Sequence, residues 1–367
     1  MDSSVITAYA TAKNSLRKCY GAKGILATPV KPNEYIARNG FWASLGAVRL
    51  EDFEPVQKHL ELFLHHQRHD GLIPHKISKS GVLKKIFSID PIEETSSFYV
   101  ENRISFIVNP VSDTNALLII SFANYVAVHK DVMFVNRYLD RLKLAFDWQL
   151  SNTKDYLLIE GDYAGWLPTV NRRSYSLYTN ILYYKSALGM SEVFKVINDY
   201  ESSTKFLDLA QKIKAKIIDR FWVGDYFADF LDKNFAPMRN FSVDGNMLAV
   251  LWGISTPTLS TKVLDYYLAL GLKKPFPSQA GFGGFPTSRF IWLGALVAGS
   301  YKVCGLDEEA EELLKQVSEA ILKFQTVYDK YDDAGNPYQK IYKKSLESSS
   351  FDAGVVIDIA SIFLKEN

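Results

Sequence analysis

Seven short runs hold most of the side chains whose types and spacing suit chemistry on a bound ligand: Arg38-Asn39-Gly40-Phe41-Trp42, Gln67-Arg68-His69-Asp70-Gly71-Leu72-Ile73-Pro74-His75, Asp113-Thr114-Asn115, Glu160-Gly161-Asp162-Tyr163-Ala164-Gly165-Trp166, Asp244-Gly245-Asn246, Gln279-Ala280-Gly281-Phe282-Gly283-Gly284-Phe285-Pro286 and Asp329-Lys330-Tyr331-Asp332. Aromatic rings stand beside carboxylates, amides and an arginine. A sugar asks for that mixture, because its apolar ring faces stack on aromatics while its hydroxyls need paired polar partners. Asp113 and Asp244 also precede apolar helical runs, where a carboxylate meets free backbone N–H groups and the positive end of a helix dipole.

These runs must be positioned by the elements between them. Apolar residues recur at helical spacing in about twelve segments, roughly 2–20, 40–50, 53–68, 112–129, 131–151, 174–196, 200–222, 243–254, 258–271, 287–304, 306–325 and 350–365. Connections entering the even-numbered helices, near 21–39, 69–111, 152–173, 223–242, 272–286 and 326–349, are long, whereas the returns near 51–52, 130, 197–199, 255–257 and 305 are a few residues each. Long connections in a compact domain are usually functional. Helices that alternate up and down put every long loop on one face, so the rhythm predicts an all-α, (α/α)6 toroid with one elaborated mouth. The even-numbered helices should line its inside. No linker divides the chain, and residues 1–367 read as a single domain.

Composition excludes several classes. The 42 basic and 41 acidic residues are interspersed and give a formal charge of +1, which offers no stripe for nucleic acid and no polybasic patch for a membrane. No apolar run reaches the roughly 18 residues of a membrane span, and the first residues read as an amphipathic helix rather than a signal peptide, so cytoplasmic residence is expected. Cys19 and Cys304 lie within helical pattern and are expected to be reduced core thiols. Five histidines fall between His59 and His75, but their spacing lacks a His-Glu-x-x-His pair, and no metal is expected. The glycines of Gln279–Pro286 have neither a preceding strand nor a following Lys-Ser/Thr, which argues against a phosphate loop. No cofactor is implied.

From Tyr35-Ile36-Ala37-Arg38-Asn39-Gly40-Phe41-Trp42-Ala43-Ser44-Leu45-Gly46 to Tyr342–Gly354, the chain resembles the six-hairpin (α/α)6-toroid glycosidases, in particular the amylo-α-1,6-glucosidase and trehalase/neutral-invertase-like members. The resemblance is carried by Gln67–His75, Asp113–Asn115, Leu177-Tyr178-Thr179-Asn180 and Val243-Asp244-Gly245-Asn246-Met247-Leu248-Ala249. It implies inverting hydrolysis by two carboxylates on opposite sides of a sugar pocket. Relatives read Trp-Ala-Arg-Asp where this chain has Ile36-Ala37-Arg38-Asn39, and Trp-x-Asp where it has Trp166-Leu167-Pro168. They also read Gln-Asn-Gly and Trp-Pro at Gln279-Ala280-Gly281 and Phe285-Pro286, and Phe-x-Trp at Phe351-Asp352-Ala353.

Mapped onto these loops, the resemblance makes Asp162 the nearest carboxylate to the general acid, with Glu160 two residues before it. Asp329 stands where relatives carry the basic Glu of Glu-x-Tyr-Asp, and Glu347 is the reserve. Arg38, Asn39, Phe41, Trp42, Gln67, Asp70, Asp113, Asn115, Trp166, Asn180, Asp244 and Gln279 are the expected substrate contacts. One carboxyl protonates the departing oxygen while the other deprotonates water on the opposite face. The expected activity is exo-acting, inverting hydrolysis of an α-linked glucose-type residue in a small or oligomeric sugar. The alternative is a catalytically degenerate carbohydrate-binding or regulatory protein on the same fold.

Overall fold

Two kinds of helix alternate along the chain because two apolar patterns alternate in its sequence. The computed structural model describes residues 2–79, 94–101, 108–162, 164–166, 172, 174–271, 289–340 and 343–364. Among them the helices are α1 Ser3–Arg17, α2 Ala37–Arg49, α3 Phe53–His65, α4 Asp113–His129, α5 Val132–Ser151, α6 Leu177–Val196, α7 Tyr200–Phe221, α8 Val243–Leu251, α9 Pro257–Ala269, α10 Ile291–Val303, α11 Asp307–Phe324 and α12 Ser350–Leu364. The even-numbered helices are mostly apolar and are buried on nearly every side. In α4 burial is unbroken from Asp113 to Ala123, and in α10 from Ile291 to Tyr301. The odd-numbered helices bury one stripe; α11 buries Ala310, Leu314, Val317, Ser318 and Ile321, a spacing of three and four.

A mostly apolar helix must be surrounded, and the contacts show how. Each inner helix packs on the next, from α2 to α4, α6, α8, α10 and α12, and α12 returns to α2. The outer ring closes through α1, which packs on α11 and α12. The result is the (α/α)6 toroid, with the even-numbered helices inside as the loop rhythm predicts. Where the chain's first and last inner helices meet, backbone touches backbone: a Cβ on Gly46 would lie 2.4 Å from the Gly354 carbonyl oxygen. Glycine is the residue that permits such an approach.

The short turns share a device. Glu51, Lys130, Asn198, Gly253 and Gly305, one in each return, have φ of 59°, 58°, 62°, 70° and 75°. A left-handed residue there ends the inner helix and turns the chain into the outer one within a few residues.

The long connections carry small antiparallel sheets that helical periodicity did not signal. Glu34–Ile36, Lys76–Lys79 and Glu94–Ser97 form one sheet, and Tyr175–Ser176, Ala228–Leu231 and Pro237–Phe241 another. Their backbones need partners, and inner-helix asparagines supply some. Asn115 accepts from Ile73 N–H at 2.9 Å and donates to the Gly71 and Ala145 carbonyls. Asn180 clasps both the N–H and C=O of Leu158, and Asn246 both groups of Phe227. In the first long connection His59 substitutes: its Nδ1 accepts from Ile25 N–H at 3.2 Å. Gly40 makes room for that ring, since a Cβ there would lie 1.9 Å from Nε2. Burial pushes the His59 pKa down to about 3, so the ring is neutral and able to accept.

Two expectations need correction. Cys19 is buried, but Cys304 is exposed because it follows α10 at the turn into α11. Phe41 is core rather than lining: its ring is fully buried 5.1 Å from Phe63 and 5.2 Å from His59. No helix is long and apolar enough to cross a membrane, and no group of three or more histidines, cysteines and carboxylates is placed to hold a metal, among the described residues.

Candidate active site

Four outer helices begin differently from the inner ones, while outer helices α3 and α11 share the inner helices' lack of a side-chain cap. Outer helices α1, α5, α7 and α9 are capped by Asp2, Asp131, Asp199 and Thr256, whose side chains accept from a first-turn N–H. Inner helices α2, α4, α6, α8 and α10 have no side-chain cap. Their free N–H groups and positive dipole ends point to the long-loop face. The first turns supply the site: Arg38 from α2, Asp113 from α4, Tyr178 and Thr179 from α6, Asp244 from α8, Trp292 from α10 and Phe351 with Asp352 from α12.

Three charge clusters differ in how they are closed. Arg38 Nε donates to Asp113 Oδ2 at 2.6 Å, and its Nη2 donates to the Ala164 carbonyl at 3.3 Å. Asp113 is 2% exposed, yet its Oδ1 has no hydrogen-bond partner among the described residues. In the second cluster Arg172 is buried between two aspartates. Its Nη1 and Nη2 reach Asp244 at 3.0 and 3.2 Å, and its Nε lies 3.1 Å from Asp229. Asp244 also accepts from Gly245 N–H at 2.8 Å and from Trp166 Nε1. Burial, opposed by Arg172, raises Asp229 to about 6.

Glu160 forms the third. It is 3% exposed, makes no ion pair among the described residues, and its Oε2 accepts from Thr179 Oγ1 at 2.5 Å. Burial raises its pKa to about 7, Asp113 adds to the rise, and Thr179 and Arg172 oppose it. Gly165 packs over it: a Cβ there would sit 2.8 Å from Oε1.

An aromatic wall crosses to the far side. Trp166 meets Trp292 edge-on at 4.9 Å and Phe290 at 5.2 Å; Trp292 continues to Phe351 at 5.1 Å. Trp42 lies beneath, 5.9 Å from Phe351, and its Nε1 donates to Tyr178 Oη at 3.2 Å. Beyond Phe351, burial and the nearby Asp329 push the Asp352 pKa well above the usual carboxylate range, and its Oδ2 accepts from Ser349 Oγ at 2.6 Å. Asp329 is held by Ser345 Oγ and Leu346 N–H at 2.8 and 2.7 Å on Oδ1, with Lys330 Nζ 3.0 Å from Oδ2.

The structure gathers Arg38, Trp42, Asp113, Trp166 and Asp244 into this network. Asn39 is half-buried beside Arg38 on α2. Asn115 and Asn180 spend their amides on loop backbone, as described. Gln67 donates to the Gly71 and Arg141 carbonyls, and Asp70 pairs with Arg68 through contacts of 2.6 and 2.7 Å. Asp162 is half-buried, its carbonyl accepting from Asn109 at 2.9 Å. Glu347 is exposed, and its carbonyl accepts from Thr28. Gln279 lies outside the described residues. The sequence reading missed Arg172, Asp229, Tyr178, Trp292 and Asp352. The signal available for four of them was position: Tyr178, Trp292 and Asp352 sit in first turns, and Asp229 sits in a long connection.

No family sequence profile and no curated protein sequence matches the chain. Solved structures do. The chain superposes on a rhamnosidase from Klebsiella oxytoca with rhamnose bound, at a TM-score of 0.70 and 14% identity, over 99% of its own length and 64% of the rhamnosidase. It superposes on the GH63 mannosylglycerate hydrolase from Thermus thermophilus in complex with glucose at 0.70 and 11% identity, covering 96% of this chain and 99% of that one. A wild-type glycosidase gives 0.73 and 12% identity, with 98% of each chain covered. These likenesses carry the toroid fold, and the chain spans less than two thirds of the rhamnosidase.

Proposed function

We propose that this protein is a glycoside hydrolase, exo-acting and inverting, that removes an α-linked glucose-type residue from a small or oligomeric sugar. The observation that supports it most is Glu160, a carboxyl raised to about 7 at a mouth where arginines hold Asp113 and Asp244. At neutral pH such a group is part protonated, which suits a general acid. In this reading Glu160 donates the proton to the departing oxygen, in place of the half-buried Asp162 two residues along the same loop. Asp329, beside Asp352 and Lys330, takes the proton of water from the opposite side of the aromatic wall. Arg38 and the open oxygen of Asp113 hold ring hydroxyls, Trp166 takes the apolar sugar face, and Trp42 closes the floor, which favours attack at a chain end.

The reading requires Glu160 and Asp329 to stand about 6.5–9.5 Å apart, leaving space for a water. Hydrolysis of an α-glucoside panel, with proton NMR of the first-formed anomer, tests it. Glu160→Gln and Asp329→Asn should each lower turnover about 10²–10⁴-fold. Glucosyl fluoride, which needs little leaving-group protonation, should restore rate to the first variant and not the second. If Asp162→Asn fails and Glu160→Gln does not, the acid is Asp162. A retained anomer refutes the mechanism.

The second reading, a sugar-binding protein without turnover, is favoured by the arginine contacts that occupy Asp113, Asp229 and Asp244. Calorimetric sugar binding with no hydrolysis across the panel would establish it.

A further inference from the structure

The opposite face of the toroid, where the short turns lie, contains a second concavity. Two adjoining cavities of about 230 and 210 Å3 share Arg49, Lys185, Trp252 and Asp358 in their walls. Most of the remaining lining is aliphatic, from α2, α4, α6, α8, α10 and α12.

The charged side chains lining the cavities, Arg49, Lys185, Glu192 and Asp358, differ in how they are paired. Arg49 Nε is neutralised by Asp358 Oδ1 at 2.7 Å, and Glu192 at the rim by Lys195 at 2.6 Å. Lys185 has no hydrogen bond or ion pair among the described residues; its Nζ rests over the Trp252 ring, 5.6 Å from the centroid. Asn124 in the same lining has a buried Nδ2 without a partner among the described residues. A cation on an aromatic face inside an apolar hollow still lacks an acceptor for its N–H groups. Asp358 and Glu192 attract Lys185 only through space, so its N–H donors call for an acceptor, which a carboxylate supplies with charge, and the aliphatic walls call for an apolar body. A cavity of about 150 Å3 is enough for benzene, so each hollow is large enough for a ring of that size.

We propose that this cavity is a binding site for a small monocarboxylate with an apolar body, its carboxylate on Lys185 and Asn124 and its body against Trp252 and the aliphatic walls. The site is separate from the mouth and independent of the hydrolase reading. Trp42 joins the two regions, because it stacks on Trp252 at 5.7 Å and donates to Tyr178 at the mouth. A ligand below would therefore touch the floor of the sugar site.

Benzoate titrated into the full chain, followed by tryptophan fluorescence and calorimetry, tests this, with benzyl alcohol and inorganic phosphate as comparison probes. Benzoate should bind saturably and at least about tenfold more tightly than either, the difference expected for a charge-assisted hydrogen bond plus apolar contact. Lys185→Met should cost at least about tenfold in benzoate affinity. Leu188→Trp, which fills the hollow and keeps the charge, should abolish binding while sugar binding at the mouth persists; melting curves verify that both variants fold. Equal binding of benzoate and benzyl alcohol, tighter binding of phosphate, unchanged affinity in either variant, or no saturation by about 20 mM would each overturn the proposal.

Discussion

Two arginines at the mouth do different work, and the contrast separates what holds the site together from what is left to act. Arg172 is 2% exposed and held by Asp229 and Asp244 through its Nε, Nη1 and Nη2. Arg38 has a side chain 19% exposed and holds one oxygen of Asp113, leaving the other without a partner among the described residues. Asp229 Oδ1 also lacks a hydrogen-bond partner among the described residues, but it lies 3.1 Å from Arg172 Nε inside a closed cluster whose side chains are at most 2% exposed. The Arg38 pair, by contrast, has a guanidinium that a ligand can reach. Glu160 extends the contrast, being as buried as the closed cluster and without a cation of its own.

Breaking the closed cluster should have the largest effect. Arg172→Met leaves two aspartates buried without a counter-charge, which typically costs about 3–5 kcal/mol. Urea denaturation should show that loss, and Asp229→Asn in the same chain should restore part of it, since it removes one of the stranded charges. A variant as stable as the parent would mean that the cluster does not hold the mouth.

Next comes Glu160. Its folded pKa of about 7 lies above the 4.5 of a free glutamate because burial disfavours the charged form. Between those values the unfolded chain has released its proton and the folded chain has kept it, so stability falls as pH rises from about 4.5 to about 7 and then levels off. The fall should be on the order of 3 kcal/mol. Glu160→Gln cannot ionise and should lose this part of the slope, which denaturant titrations at pH 5 and pH 8 would reveal. An identical slope in both proteins would place the raised pKa elsewhere.

The contrast also explains what the sequence could reveal. Helical period and loop length together specified the ring, because a helix apolar on nearly every side must be enclosed and one with a single stripe must not. Arg38, Asp113, Trp166 and Asp244 were legible for a related reason: each is polar or aromatic where an apolar run begins or a long loop ends. Arg172 was not, since its partners Asp229 and Asp244 lie 57 and 72 residues away and no local pattern encodes such a pairing. Asn115 and Asn180 resembled sugar ligands because a ligand and a loop backbone ask an amide for the same donor and acceptor. The clue was repetition, for Asn246 does the same task at the matching place on α8. Asn246→Ala should therefore cost about 1–3 kcal/mol of stability, the penalty for leaving buried backbone groups unpaired, with little change in ligand affinity in the folded protein.

The smallest change in stability, and the sharpest separation of the two arginine sites, should come from Asp113→Asn. The amide has the same shape, and its oxygen can still accept from Arg38 Nε, while the partly exposed guanidinium keeps some contact with water. Thermal melting should register a smaller loss than Arg172→Met, because the Arg38 guanidinium is 19% exposed and keeps the amide oxygen as an acceptor. Sugar affinity should respond more, because the oxygen now free to accept a hydroxyl would become an amide that donates instead. Loss of a charged acceptor of this kind costs about 1.5–3 kcal/mol, read by calorimetry as a roughly 10- to 150-fold weaker dissociation constant. Asp229→Asn should do the reverse, moving the melt and sparing the affinity. If Asp113→Asn instead unfolds the protein and leaves binding in the folded fraction untouched, Arg38 and Asp113 belong with Arg172 as part of the scaffold.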